Sequence, residues 1–322
     1  MTSELEDSVR VGTWTHEALE ARVVRYRDLV PCRNAFIDTR TPGSDAKENF
    51  TIIGPGVSEN PEQHVHIAEP HGFNIGGARQ PPRCTNSQHS HDTAEVFVVH
   101  SGRWQFTFGE HGEDAQVEAA PGDIVSFPIH AFRGFENIGE EPGFLWSVLG
   151  GDDPGRVLWA PKVFEMAKTY GLILLENGAL VDTTIGQSPS PGIRPMPVTG
   201  SDAIARLRKM RSEDISEVIA RAPRQPRDGE ELVIGPGGIL PPAEGFSLSR
   251  LILKDGEASA ETAVSYPEVL FVQKGGAKIC TPDAEISLEK GDTMSIPIGF
   301  ARSYCALAEG AELIIVRGTN RG

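Results

Sequence analysis

The feature that most constrains the fold is an internal repeat, because the second half of the chain reproduces the spacing of the first at an offset of about 170 residues. A repeat of this length is typical of a duplicated domain. The repeated positions are Glu95, Gly102, Gly122, Pro128 and Arg133 in the first copy, and Glu268, Gly275, Gly291, Pro297 and Arg302 in the second. We therefore expect two similar units in tandem.

Both copies are predicted to consist of β-strands. Over residues 64–150, and again over 232–316, short apolar segments are separated by turns, and Trp104–Phe108 alternates aromatic with polar residues. The 35 Gly and 24 Pro residues suit a chain with many turns, and 322 residues are enough for two cores. The sequence predicts an all-β protein with two tandem barrels and a few short linking helices.

Three possible metal ligands lie close together in the first copy. Successive side chains of a strand alternate between its faces, so His89 and His91 point the same way, and Glu95 can meet them from the next strand after a tight turn. Two imidazoles and a carboxylate leave coordination positions open and suit a redox-active divalent ion. The spacing predicts a site for one divalent ion, with Fe(II) favoured and Mn(II), Ni(II) or Zn(II) as alternatives.

This stretch resembles the first motif of the cupin family, which places two His, a Glu and a Gly at these intervals. The matching residues are His89, His91, Glu95 and Gly102, whereas Arg83 stands where the family has a leading Gly. The resemblance implies a bicupin, with two jelly-roll barrels of the double-stranded β-helix type. It also implies that the three ligands hold a metal ion inside the first barrel.

The second cupin motif is matched only in part. Gly122, Pro128 and Asn137 are in place, but Arg133 stands where the family has a fourth ligand, a His, and His130 stands where it has a Gly. Arg133 cannot replace the missing ligand, because a guanidinium offers no lone pair. The imidazole of His130 could be a ligand, or it could cap the loop before the strand.

The second copy serves as an internal control. Thr262 and Val264 stand where the first copy has its two ligand His residues, and Gly299 stands where it has His130. We therefore expect the second barrel to bind no metal and to have a structural role. The imidazole at position 130 occurs only in the copy that carries the other ligands.

Arg133 has two possible roles. The second copy retains both the acid and the Arg, as Glu268 and Arg302, which favours a buried ion pair with Glu95 in the first copy as well. Alternatively, Arg133 could donate a forked pair of hydrogen bonds to a carboxylate or oxyanion of a substrate. On that interpretation Arg133 and His130 are the candidate catalytic residues.

The composition along the chain indicates four segments. They are an N-terminal extension over 1–60 that covers the first barrel, a metal-binding barrel over 61–155, a helical and Pro-rich linker over 156–225, and a degenerate second barrel over 226–322. An apolar stripe predicts a helix over 160–170 in the linker. Further helices are predicted over 15–23 and 201–222.

Charge and cysteine content restrict the partners and the compartment. The chain has 45 acidic and 30 basic residues and a net charge of -15, which disfavours nucleic acids and anionic membranes as partners. Four scattered cysteines without metal-type spacing, and an acidic N-terminus without an apolar core, favour a cytoplasmic protein. We expect a small-molecule substrate and a homodimer.

The donor set and the resemblance together favour an enzyme. The leading hypothesis is a metal-dependent oxidoreductase, a dioxygenase that acts on a small aromatic or carboxylate-bearing molecule. A redox-neutral isomerase, lyase or decarboxylase is one alternative, and a non-catalytic small-molecule-binding bicupin is another, because the fold hosts many functions. Oxygen uptake distinguishes the first alternative, and ligand binding that survives loss of both His residues distinguishes the second.

Overall fold

The computed structural model describes residues 15–225 and 227–319. Strands dominate this part of the chain and its helices are short, which confirms the predicted all-β class. The described chain divides into two compact units. The N-terminal unit comprises Leu29–Arg224 with Gly235–Gly245, and the C-terminal unit comprises the other described residues. No helix in the described residues is both long and apolar enough to cross a membrane.

Residues 15–28 belong to the C-terminal unit. Thr15 caps helix α1 (His16–Glu20) with its side chain, and strand β1 (Val23–Val24) pairs with the strand that contains Met294. A short strand in this position covers the open hydrogen-bonding groups of a sheet edge. The sequence instead predicted that these residues, as part of the extension over 1–60, cover the first barrel. The difference arises because the pairing joins distant parts of the chain and leaves no local pattern.

The N-terminal unit contains eleven consecutive strands before its linking segment. They are β2 (Glu48–Ile53), β3 (Val65–Ile67), β4 (Phe73–Gln80), β5 (Thr85–His91), β6 (Glu95–Ser101), β7 (Trp104–Phe108), β8 (Ala115–Ala119), β9 (Ile124–Phe127), β10 (Arg133–Asn137), β11 (Gly143–Gly150) and β12 (Val157–Trp159). The predicted series of short strands and turns is therefore observed in this half.

A segment of mixed structure follows β12. Its elements are helix α2 (Pro161–Thr169), strands β13 (Leu172–Leu174) and β14 (Leu180–Asp182), a 3-10 turn (Thr183–Ile185), helix α3 (Ser201–Ile204), a second 3-10 turn (Ser212–Glu217) and strand β15 (Ile219–Ala220). The helix predicted over 160–170 is confirmed as α2, which buries Val163 and Ala167. The helical prediction over 201–222 is met only by α3 and the 3-10 turn Ser212–Glu217.

Two sheets form the barrel of the N-terminal unit. The five-stranded sheet has the order β12-β5-β10-β7-β8, and the seven-stranded sheet has the order β15-β9-β6-β11-β4-β2-β3. Apolar side chains from both sheets pack between them, and the rings of Phe97 on β6 and Phe135 on β10 lie 5.2 Å apart. Because β5 and β6 lie in different sheets, the short turn between them carries the chain across the barrel.

The C-terminal unit has six further strands besides β1. They are β16 (Gly229–Ile234), β17 (Phe246–Leu253), β18 (Glu268–Cys280), β19 (Glu285–Leu288), β20 (Thr293–Ile296) and β21 (Ser303–Gly318). The long strands β18 and β21 pair along most of their length, and two register shifts bend the pair. Leu270, Ile279 and Leu313 belong to its core.

The backbone hydrogen bonds confirm the internal repeat. Equivalent amide groups donate to equivalent carbonyl groups in the two units, at the Gly before the repeated Pro and again in the loop after it. The matched pairs are Gly122 N to Val99 O (2.8 Å) with Gly291 N to Val272 O (2.8 Å), and His130 N to His91 O (2.9 Å) with Gly299 N to Val264 O (2.7 Å).

Candidate metal centre

The three predicted ligands come together between the two sheets of the first barrel. His89 and His91 lie on β5 of the five-stranded sheet, and Glu95 is the first residue of β6 in the seven-stranded sheet. One ligand-type atom from each residue lies within 4.8 Å of the others. All three side chains are buried, with 3 to 5% of each residue exposed. The alternation along β5 and the turn before β6 produce this arrangement.

Hydrogen bonding defines the tautomer of His89. Its Nδ1 lies 2.7 Å from the carbonyl oxygen of Ser87, and a carbonyl oxygen can only accept, so Nδ1 carries the proton. Nε2 therefore keeps a lone pair. Burial and, to a smaller extent, the positive charge of Arg133 lower the pKa of His89 to about 3. The ring is thus neutral at physiological pH, the form that binds a metal.

His91 is neutral for the same reasons. Burial, aided by Arg133, holds its pKa well below the usual value. Its Nε2 lies 3.8 Å from Oε1 of Glu95, and its Nδ1 is buried without a hydrogen-bond partner in the described residues. Its ring centroid is 5.1 Å from that of His89, at an interplanar angle of 72°.

Arg133 holds one oxygen of Glu95 and leaves the other facing the imidazoles. Its Nε and Nη2 both donate to Oε2, at 3.1 Å and 2.7 Å. Oε1 is the oxygen that faces His91. The strand register explains the contact, because Arg133 on β10 is the Cα partner of His89 on β5. The ion pair therefore neutralises the buried carboxylate without enclosing it.

The structure favours the ion-pair role of Arg133 over substrate contact. Its third donor, Nη1, lies 3.3 Å from the carbonyl oxygen of Ala131, and its guanidinium carbon lies 5.5 Å from the ring centroid of Phe127. Only 1% of the residue is exposed, and it does not line the cavity beside the ligands. Arg133 thus lies behind Glu95, where its donors are already engaged.

The structure places His130 outside the ligand group. It is an exposed residue in the loop before β10, with a positive φ of 59°, and it is absent from the three-residue cluster. Its backbone binds His91 and Arg208, through its N–H and its carbonyl oxygen respectively. The left-handed backbone turns the loop where the second copy has Gly299, with a φ of 74°. This corrects the expectation that His130 supplies a fourth ligand.

The chemistry and spacing of the group fit a divalent ion. Two donors bonded to one ion at roughly 2.1 Å each lie no more than about 4.2 Å apart, and the 3.8 Å between His91 and Glu95 falls within that limit. Both imidazoles are neutral, and one carboxylate oxygen remains available.

Several supporting residues were not identified from the sequence. Trp159 is the Cα partner of His89 on β12, and their ring centroids lie 5.3 Å apart. The indole Nε1 of Trp159 donates to Glu59 at 2.6 Å, and burial raises the pKa of Glu59 to about 8. The Nζ of buried Lys47 donates to Asn86, beside His89, at 3.0 Å. These contacts join segments far apart in the chain, so no local pattern predicts them.

The equivalent site of the C-terminal unit is occupied by its own side chains. Thr262 forms a bridge with Arg302, as His89 does with Arg133. Both oxygens of Glu268 accept hydrogen bonds: Oε1 from Arg302 and from the hydroxyl of Tyr304, and Oε2 from Arg317 at 2.7 Å. Glu268 is fully buried. Unlike Glu95, it presents no oxygen to an open space.

Comparisons with known proteins agree with this fold. The cupin domain family matches residues 78–149, and a search of the curated proteins finds no match. The pirin YhhW from Escherichia coli, in complex with nickel(II), is 11% identical with a TM-score of 0.52, over 92% of this chain and 97% of that chain.

Two further solved structures show the same fold. The formate complex of oxalate decarboxylase from Lactobacillus farciminis is 14% identical, with a TM-score of 0.55, over 95% of this chain and 87% of that chain. An 11S globulin from Wrightia tinctoria, described as revealing an auxin binding site, is 12% identical, with a TM-score of 0.56, over 94% and 84%. At such identities the likeness concerns the fold alone.

The duplicated barrel and the buried His-His-Glu group define a class of double-barrel proteins with a metal-type donor set in one barrel. The family match identifies a cupin domain over residues 78–149, and the tandem barrels have the fold of the solved structures described above.

Proposed function

We propose that the chain is a metal-dependent oxidoreductase, a dioxygenase that binds one Fe(II) ion and one small organic molecule in its first barrel. The observation that carries the proposal is the buried convergence of His89, His91 and Glu95, with Oε1 of Glu95 turned toward the imidazoles. Such a donor set leaves coordination positions open on an iron-type ion. A bound ion would supply those positions for a substrate oxygen and dioxygen.

The chain's own residues would prepare this reaction in three ways. The carbonyl of Ser87 fixes the tautomer of His89, so the ring presents Nε2. Arg133 holds Oε2 of Glu95, which orients the other oxygen. Aromatic side chains, including Trp159, form part of the cavity wall and would help to exclude water from the bound molecule.

The first test is metal stoichiometry. We expect about one ion per chain in protein purified without chelator, measured by elemental analysis, and almost none in His91→Ala. Val264→Ala is the matched control, since Val264 is the equivalent residue of the second barrel, and it should keep one ion per chain. Equal metal content in the wild type and in His91→Ala would refute the assignment.

Oxygen consumption separates the dioxygenase from a redox-neutral enzyme. Fe(II)-loaded protein supplied with a panel of short carboxylates and carbonyl compounds should consume dioxygen in step with one of them. The His91→Ala variant measures the background. Substrate conversion without oxygen uptake would instead support a metal-dependent isomerase, lyase or decarboxylase.

The Glu95–Arg133 ion pair favours a second candidate function, a non-catalytic small-molecule-binding protein. An Arg that holds the acid competes with a cation for it, because both carry positive charge. If this function is the true one, the purified protein will contain no metal, and a small molecule will bind the wild type and the His89→Ala/His91→Ala double variant equally well.

The proposed compartment is the reducing cytoplasm, and the proposed assembly is a homodimer. The compartment proposal rests on the sequence, whose four cysteines are scattered without metal-type spacing. Light scattering on the purified chain tests the dimer, and a mass of one chain would contradict it.

A further inference from the structure

The cavity beside the candidate ligands is small. Its volume is about 70 Å³, and its wall includes His89, His91 and Glu95. Aromatic and aliphatic side chains form much of the remaining wall, among them Phe50, Phe97, Phe135, Leu149, Val157 and Trp159. A bound molecule must therefore lie directly against the three ligands and against apolar surface.

The volume restricts the size of that molecule. An engineered apolar cavity of about 150 Å³ in another protein binds benzene, and one water occupies about 30 Å³ of the liquid. At half the volume of the benzene site, this cavity has room for roughly three to five close-packed non-hydrogen atoms. An aromatic ring does not fit. The carboxylate-bearing class of substrate is thus favoured over the aromatic class, and within it the short aliphatic members.

A polar group in the cavity wall lacks a partner. The side-chain Nδ2 of Asn49, on β2, is buried without a hydrogen-bond partner in the described residues. Its backbone is already engaged, since N and O bond to Cys32 at 3.2 Å and 2.8 Å. Two polar neighbours in the wall, Thr51 and Gln63, bond to each other. A buried donor that stays unpaired is unfavourable, so Nδ2 is a site where a bound molecule gains stability by accepting a hydrogen bond.

We propose that the cavity selects a short aliphatic carboxylic acid that carries a second oxygen group and has roughly three to five non-hydrogen atoms. We further propose that Asn49 determines this specificity. One oxygen of the molecule lies toward His89, His91 and Glu95, and a second oxygen accepts a hydrogen bond from Nδ2 of Asn49. The inference rests on the proposed function for the metal end, whereas the size limit and the Asn49 contact rest on the cavity alone.

Ligand binding to metal-loaded protein tests both parts without an activity assay. Calorimetric titration of Co(II)-loaded protein with glyoxylate, acetate and benzoate should show binding of the two short acids and none of benzoate. The replacement Asn49→Leu should weaken glyoxylate, which carries a second oxygen group, by roughly tenfold or more. Acetate is the matched control ligand, because it has no distal oxygen, and its affinity should not change.

Two readouts separate this role from a purely structural one. Asn49→Leu should keep one metal ion per chain and should unfold at the same or a higher temperature, because it removes an unpaired buried amide. Benzoate that binds as tightly as glyoxylate would overturn the size limit, and unchanged glyoxylate affinity in Asn49→Leu would overturn the role of Asn49. If no metal binds, the proposed function is wrong. The same titrations of metal-free protein then test the size limit and the role of Asn49, and the same results would overturn each of them.

Discussion

The two barrels share a backbone and differ in what surrounds one carboxylate. Glu95 and Glu268 each begin a strand and each pair with an Arg at the repeated position. In the first barrel the Arg binds only Oε2, and Oε1 faces His91. In the second barrel, Tyr304 and Arg317 join the Arg, and both oxygens are engaged.

The substitutions around the acid account for this difference. Tyr304 of β21 corresponds to Phe135 of β10, which lines the cavity of the first barrel. Arg317 is the strand partner of Glu268, whereas Leu149 is the strand partner of Glu95. Apolar side chains thus leave space beside Glu95, and polar ones close that space beside Glu268. The ion pair serves folding in both barrels, and the open carboxylate oxygen distinguishes the first.

The largest expected effect tests whether both ion pairs serve folding. Glu268→Gln removes the charge facing Arg302, a residue with 1% exposure, and should lower the free energy of unfolding by about 3–5 kcal/mol. Glu95→Gln likewise leaves the buried charge of Arg133 without its partner and should lower the free energy of unfolding by a similar amount in metal-free protein. Urea titration followed by circular dichroism measures both.

Metal content then separates the two acids. Glu95→Gln should lose the bound ion, and Glu268→Gln should retain about one ion per chain at temperatures where it remains folded. If Glu268→Gln also lost its metal, or if Glu95→Gln kept it, the division of roles between the barrels would be wrong.

The sequence predicted the parts of this comparison that depend on local spacing. The period of two along β5 and the turn before β6 suffice to bring His89, His91 and Glu95 together. The direction of His130 could not be predicted, because its backbone adopts a left-handed conformation that a His seldom takes. Contacts to distant segments, such as Trp159 against His89 and Asn49 in the cavity wall, depend on the packed barrel and leave no motif.

An intermediate effect is expected on the pH dependence of stability. The first barrel buries the imidazoles of His89 and His91, whereas the second barrel has Thr262 and Val264 at these positions. The pKa of His89 is about 3 when folded and about 6.5 when unfolded. The unfolded chain thus binds more protons between these values. The stability due to the neutral ring is complete above about pH 6.5 and falls as pH decreases. At pH 5 the metal-free protein should lose about 2 kcal/mol through His89.

A difference measurement isolates this effect. The pKa of Glu59 is raised to about 8 by burial, so folding takes up protons at Glu59 over part of the same range and opposes the His89 effect. The stability of the wild type relative to His89→Asn should therefore be compared at pH 5 and pH 7.5, with tryptophan fluorescence as the probe, since Trp104, Trp146 and Trp159 lie in the N-terminal unit. Thr262→Asn, at the equivalent position of the second barrel, should show no such change.

The smallest effect is expected from exchanging the loop residues His130 and Gly299, which differ between the two barrels. His130 has a φ of 59° and Gly299 a φ of 74°, and both donate the same backbone hydrogen bond. A left-handed conformation disfavours a non-Gly residue by roughly 1–2 kcal/mol, and the greater entropy of unfolded Gly offsets part of this. His130→Gly should therefore stabilise the protein by up to about 1 kcal/mol, and Gly299→His should destabilise it by a similar amount. Metal affinity should be unchanged in both, because the exposed imidazole lies outside the ligand group. A tenfold weaker affinity in His130→Gly alone would restore His130 to the ligand set.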